Sequence, residues 1–291
     1  MTPLVEAARP IVVLAGWAVR ESLRRRVFVI VALLTVAFIA LYALGCHAAF
    51  RQIRGFAGPG GGIDGHEFAG ATLNGLAMFA VLFLGSVLAS FLTLSTVRGD
   101  AENGLLQPLV VRPVGRAQVL VARWLAAAAV CTAYVALVYA AVLVVLRATG
   151  GWSPDRIVGP GLRLALAVSM LAALCVLGSV VFTATANGIA TFMVLGSGLF
   201  AGLLGQVGHG IGNRGLEHAA HVVSWVLPFE ALYQDALSLT TVDQHGLTSF
   251  LVQLGPLGGG QPAGRWLLPY VVGYLVVLAG VAIAATARRD L

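Results

Sequence analysis

Asp100 and Glu102 hold the most suggestive chemistry in the chain. They stand in a short polar stretch, Arg98 to Arg116 (RGDAENGLLQPLVVRPVGR), wedged between two long apolar runs. Carboxylates placed at or near a helix N-terminus are favoured by the helix dipole, and they can offer themselves to arginines of a soluble partner. Gly104 permits a bend, Pro113 restarts a helix, and Arg116 with Arg123 anchors that helix at a lipid interface. On the residues alone the stretch reads either as a docking loop or, the commoner case for charged loop residues, as a solvated connector whose charges merely set topology.

Other candidate chemistry is thinner. Glu217, His218 and His221 invite a metal reading, because histidines three apart share a helix face. His209 and His245 lie near in sequence, but no third ligand stands at firm spacing, and a helix at a wet interface accommodates histidine readily. The expectation is no metal and no resident cofactor. Serine, cysteine and histidine are scattered over apolar runs and loops without a nucleophile–base arrangement, so no catalytic residue is assigned. All 18 basic residues are arginine. Without lysine there is no Walker A phosphate loop and no Schiff base. If ATP drives this protein, the ATPase is another chain.

These residues need elements to position them, and composition says where those elements sit. Hydrophobic residues make up 59% and charged residues 10% of the 291, against about 25% charged in soluble domains. That balance specifies an all-α polytopic membrane protein whose first partner is a lipid bilayer, not nucleic acid. Cys46, Cys131 and Cys175 fall in three different apolar runs, which argues against a disulfide framework. No cleavable signal peptide is expected, since the N-terminus has acids and the first long run starts near Val27.

Six runs are long enough to span: Val27 to His47, Ala71 to Val97, Leu125 to Leu146, Leu164 to Ala186, Gly188 to Val207 and Leu267 to Ala287. One helix through the fourth and fifth would be about 65 Å long, twice the hydrocarbon thickness. A tight hairpin at Thr185-Ala186-Asn187-Gly188 is therefore required, and Asn-Gly suits a turn. With both termini inside, eleven arginines lie on inner segments and seven on outer loops, in the sense of the positive-inside rule. Residues 1–26 read as an amphipathic helix on the inner membrane surface, with Glu6, Arg9, Arg20 and Arg24 opposite Leu4, Ile11 and Leu23. The outer segment 208–266 holds a stretch from Glu217 to Thr241 that is too short to cross and is broken by Pro228. It reads as a re-entrant or interfacial helix pair. The Gly-rich pieces Gly55 to Gly62 and Gly255 to Gly264 read as outer loops.

This layout resembles the type-2 permease family of ATP-binding-cassette exporters, and among them the stand-alone six-span permeases such as the one associated with nitrous-oxide reductase maturation. In that family the inner loop reads acidic-Arg-Glu-x-Gly-Thr-Leu, then Leu-Leu, then Pro-x-x-Arg. Asp100, Glu102, Gly104, Leu106, Leu109, Pro113 and Arg116 stand at those places, with Ala101 for the arginine and Leu105 for the threonine. The ending Ala287-Arg288-Arg289-Asp290-Leu291 is the second likeness.

The resemblance implies one permease domain over residues 1–291, with no nucleotide-binding domain and a coupling loop over 98–118. Asp100, Glu102, Gly104, Pro113, Arg116, Asn187 and Gly188 would couple to two copies of a cytoplasmic ATPase carrying the ATP and magnesium. The chain itself would not be an enzyme. A second copy or a similar permease would complete the transporter in a prokaryotic inner membrane, where an extracytoplasmic partner is also open. Gly198-x-x-x-Gly202 permits close helix approach, either to that second subunit or within one chain.

No Asp, Glu, Arg or His lies mid-span, which counts against an ion-coupled carrier. Asn74, Ser86, Ser90, Thr93, Thr132, Tyr134, Ser169, Ser179 and Thr183 are candidates to line a cavity for an amphipathic or lipid-like cargo, or else to satisfy one another between helices. Two other readings stand beside the exporter: a membrane-embedded lipid-processing enzyme, and a subunit that transmits force to a periplasmic partner.

Overall fold

A computed structural model describes residues 16, 26–53, 65–93, 116–240, 260 and 262–287 of the chain. Among the described residues there are eight helices and no strand: α1 (Arg26–Ile53), α2 (Gly65–Thr93), α3 (Arg116–Gly150), α4 (Val158–Val181), α5 (Ala184–Ile211), α6 (Arg214–Val226), α7 (Pro228–Ser238) and α8 (Leu267–Ala287). All but α6 and α7 are long and apolar enough to cross a bilayer. The chain is a helical, multi-pass membrane protein, and its six candidate spans overlap the six apolar runs of the sequence. Some helices outrun those apolar stretches: α3, at 35 residues, is about 52 Å long against roughly 30 Å of hydrocarbon. Its last turn carries Arg147.

α4 is the hub. It packs against α2, α3, α5, α7 and α8, while α1 lies over α2 and α3. Small residues on α4, including Ala165, Ala167 and Ala172, are buried and let neighbouring backbones approach. The apolar windows of α2 and α4 are each 67% buried, whereas those of α1 and α8 are 11% buried. The outer helices thus expose Val29, Leu33, Val36, Val272 and Val276, side chains suited to lipid. Between α2, α3 and α4 the core holds Met78, Leu82, Leu88, Val135 and Leu171.

One turn falls elsewhere than the sequence suggests. The hairpin between the fourth and fifth spans is at Phe182–Thr183, not at Thr185–Gly188. Phe182 is extended and its N–H donates to Gly178 O at 2.8 Å. The Thr183 hydroxyl then accepts from Ala186 N at 3.4 Å, the bond of a helix N-cap. Asn187 and Gly188 consequently sit in the first turns of α5.

At the other end of α5, Gly212 takes φ +67°, a left-handed conformation that glycine adopts at no steric cost. Asn213 caps α6 by accepting from Gly215 N at 3.0 Å and Leu216 N at 3.3 Å. α6 then doubles back on α5, with Gly208 against Leu216 and Gly205 against Ala220. Pro228 opens α7, where its missing N–H costs nothing. α7 returns along α4, so that Leu239 just past its end lies against Gly159.

The helix expected over 1–26, apart from residues 16 and 26, lies outside the described residues. So do 94–115 of the expected coupling loop, most of the outer segment beyond residue 240, and the ending after Ala287.

Candidate functional site

Two polar clusters mark opposite ends of the bundle. At the α4–α5 end, Asn187 is 1% exposed. Its Nδ2 donates to Cys175 O at 2.8 Å and lies 3.4 Å from Cys175 Sγ. Its Oδ1 presses on Gly178, where any Cβ would collide with it. Thr191 Oγ1 donates to Asn187 O at 2.9 Å. One amide therefore ties the start of α5 to the last turns of α4. A buried amide left without such a partner would cost about 1–3 kcal/mol.

The ends of other helices converge on the same place. Phe91, near the end of α2, joins Ala184, Thr185, Gly188, Ile189, Phe192 and Met193 around an open apolar cleft of about 540 Å³. Leu120 and Trp124 at the start of α3 pack with Val176 and Val180 of α4 and with Ala282, Ile283 and Ala285 of α8. Both helices that flank residues 94–115 thus end beside the hairpin. Asp100, Glu102, Gly104 and Pro113 lie outside the described residues, and Arg116 is the first residue of α3.

At the far end, Gly198 and Gly202 are occupied from within the chain. A Cβ at Gly198 would run into the Phe229 ring, and one at Gly202 would overlap Glu230 Oε1. The close approach these glycines allow is made to α7. Glu230 is 1% exposed. Gln234 Nε2 donates to its Oε1 at 2.7 Å, and Gln206 Nε2 reaches Gln234 Oε1 at 3.5 Å. Glu230 Oε2 and Tyr233 Oη are buried without a hydrogen-bond partner. Burial pushes the Glu230 carboxyl up to about 7, an effect that the Gln234 amide only partly offsets. Burial, and then the neighbouring Glu230, push the Tyr233 phenol upward. One turn further on, Asp235 forms an ion pair with Arg163 of α4 and accepts from Ala263 N at 3.1 Å.

The hydroxyls named as possible cavity liners mostly turn onto backbone. Ser86, Thr93 and Ser169 donate to the carbonyl four residues back at 2.6–2.7 Å. Ser179 donates to Val176 O at 2.7 Å. Tyr134 pairs with Thr35 at 2.6 Å, and Thr132 with Ser169 at 3.4 Å. Such back-bonding satisfies a hydroxyl inside an apolar bundle without a cavity. Asn74 and Ser90 are the exceptions, each with a buried oxygen that has no partner.

His218 and His221 are exposed on α6, and Trp225 Nε1 donates to His221 Nε2 at 3.1 Å. Among the described residues no three His, Cys, Asp or Glu side chains come together as a metal site. The Arg163–Asp235 pair and the Glu230 seat were missed in the sequence reading. Their partners stand 72 and 28 positions apart, and the usable signal was two acids inside an otherwise amphipathic eleven-residue helix.

Neither a scan against protein-family models nor a search of curated proteins returns a match. The functional reading rests on geometry and on the motifs of the sequence.

Proposed function

We propose that this chain is the membrane permease subunit of an ATP-driven exporter of the type-2 ATP-binding-cassette kind, moving an amphipathic or lipid-like cargo. The observation that supports this best is the convergence at the α4–α5 end. The end of α2, the start of α3 and the buried-amide hairpin at Asn187 form one face, and Asp100, Glu102 and Pro113 belong to the segment joining α2 to α3. A cytoplasmic ATPase that gripped this segment and pressed on the hairpin beside it would push on α4, in part through Asn187, and α4 packs against five other helices.

On this reading the face is cytoplasmic. α6 and α7 form an outer re-entrant pair, and the hydrolytic site with its ATP and magnesium is the partner's. Two permease copies would rock about a shared axis. Because α7 covers Gly198 and Gly202, the second copy would meet the exposed side of α5, which carries Ile189, Met193, Phe200 and Val207.

The test is purification from native membranes in mild detergent, with mass spectrometry of what co-purifies and an ATPase assay. A stoichiometric P-loop ATPase supports the proposal. A chain that purifies alone and hydrolyses no ATP overturns it.

A further inference from the structure

We propose that the Glu230 carboxyl, seated on Gly202 between α5 and α7, is a proton-binding latch: neutral, it holds α7 against α5, and ionised, it lets that seam open. This does not depend on the transporter reading, since it follows from one buried carboxyl and what surrounds it.

Position 202 has no side chain, and the acid fills the vacated space so closely that a Cβ there would overlap Oε1. The side chain is thus the packing element of the seam. Among the described residues Oε1 has one donor, Gln234, and Oε2 has none. A buried carboxylate is acceptor-only and needs several donors or a cation to offset its lost hydration. A neutral carboxylic acid needs less, because it is uncharged and supplies a donor itself. The raised proton affinity described above points the same way.

Among the described residues, charges that could compensate an anion are engaged, exposed away from the seam or part of other contacts. α5 presents Gly202 and Gln206, both uncharged. α7 adds Tyr233, whose hydroxyl also has no partner, and Asp235. Arg163 of α4 is bound to that Asp235. α6 carries Arg214, exposed at the turn where α6 leaves α5 and so at the end away from Gly202, then Glu217, His218 and His221, the last held by Trp225. Tyr270 and Tyr274 of α8 donate to Trp225 O and Val226 O. On α2, His66 donates to Gly150 O and Glu67 accepts from Trp152. Ionisation would therefore leave an unpaired charge in the α5–α7 seam, and admitting water there is the relief open to it. Arg163–Asp235 keeps α7 attached to α4 meanwhile, which confines the opening to the α5 side.

Hydrogen–deuterium exchange of the full chain in lipid nanodiscs, read at about pH 5.5 and about pH 8.5 and corrected for intrinsic rates, tests the latch. For wild type, protection of peptides covering 198–208 and 228–238 should fall at least about tenfold at the higher pH. Glu230→Gln, neutral at both, should keep the low-pH protection. Unchanged protection in wild type overturns the proposal, as does an equal loss in Glu230→Gln. If that variant does not fold, infrared titration of wild type decides. A buried protonated-carboxyl band that bleaches over the same range supports the latch, and the absence of such a band overturns it.

Discussion

Asn187 Nδ2 donates to the backbone carbonyl of Cys175 at 2.8 Å, across the turn that joins α5 to α4. The amide is buried, and the space it occupies is the one that Gly178 leaves free. Two spans are thereby fastened at the end where the α2–α3 connection also begins and ends. A push on the α4–α5 turn reaches α4 through this side-chain bond as well as through apolar contact.

Removing that amide should be felt. Asn187→Ala loses the bond and leaves Cys175 O without its side-chain donor, at a cost of about 1–3 kcal/mol. Thermal unfolding of purified protein in nanodiscs measures it. A change within about 0.5 kcal/mol, the usual range for a surface substitution, would show that the amide does not fasten the hairpin.

The glycines of α5 differ in what they face. Gly198→Ala and Gly202→Ala drive a methyl into Phe229 and Glu230, and each should destabilise by about 1–3 kcal/mol. Gly196→Ala meets nothing within 4 Å. It should be neutral, or stabilise by about 0.5–1 kcal/mol through helix propensity. Equal effects at all three positions would contradict the seating of α7 on α5.

Stability should depend on pH through Glu230. Its proton affinity is raised on folding, from the ordinary carboxylate value of 4.5 to about 7. The folded protein therefore holds that proton more tightly than the unfolded chain does. The benefit is complete below about pH 4.5 and is lost as pH rises through about 7, a change on the order of 3 kcal/mol. Melting curves across this range should show the decline in wild type and its disappearance in Glu230→Gln. A decline of the same size in both would assign it to another group.

Arg163 and Asp235 should behave as a pair. Arg163→Met strands a mostly buried carboxylate and should cost roughly 3–5 kcal/mol. Arg163→Met combined with Asp235→Leu removes both charges and should recover much of that loss. A double variant as unstable as the sum of the two singles would mean that the two residues act independently.

Much of this architecture is legible in the sequence because bilayer thickness is a blunt constraint. An apolar run either reaches across or does not, and the run from Leu164 to Val207 had to fold back. Where it folds back was misjudged. Asn-Gly is a turn signal in water, but Asn187 has a carbonyl and an empty glycine surface to bury against. The smaller signal, Thr183 standing three residues before Ala186, marks the cap. Similarly, Pro228 revealed that the stretch before the last span is broken. It did not reveal that Glu230 and Asp235 turn inward, because their seats are made by Gly202 on α5 and Arg163 on α4. Such long-range seats are properties of the assembled bundle, not of any local pattern.

The central claim is that the segment from Arg98 to Arg116 docks an ATPase. The most direct measurement compares wild type with Asp100→Arg/Glu102→Arg, each purified from native membranes at matched yield. The account predicts that wild type brings down a P-loop ATPase in stoichiometric amount, together with ATP hydrolysis, and that charge reversal removes both while the chain stays folded. The same ATPase recovered undiminished with the reversed segment, or no ATPase with either, would contradict it.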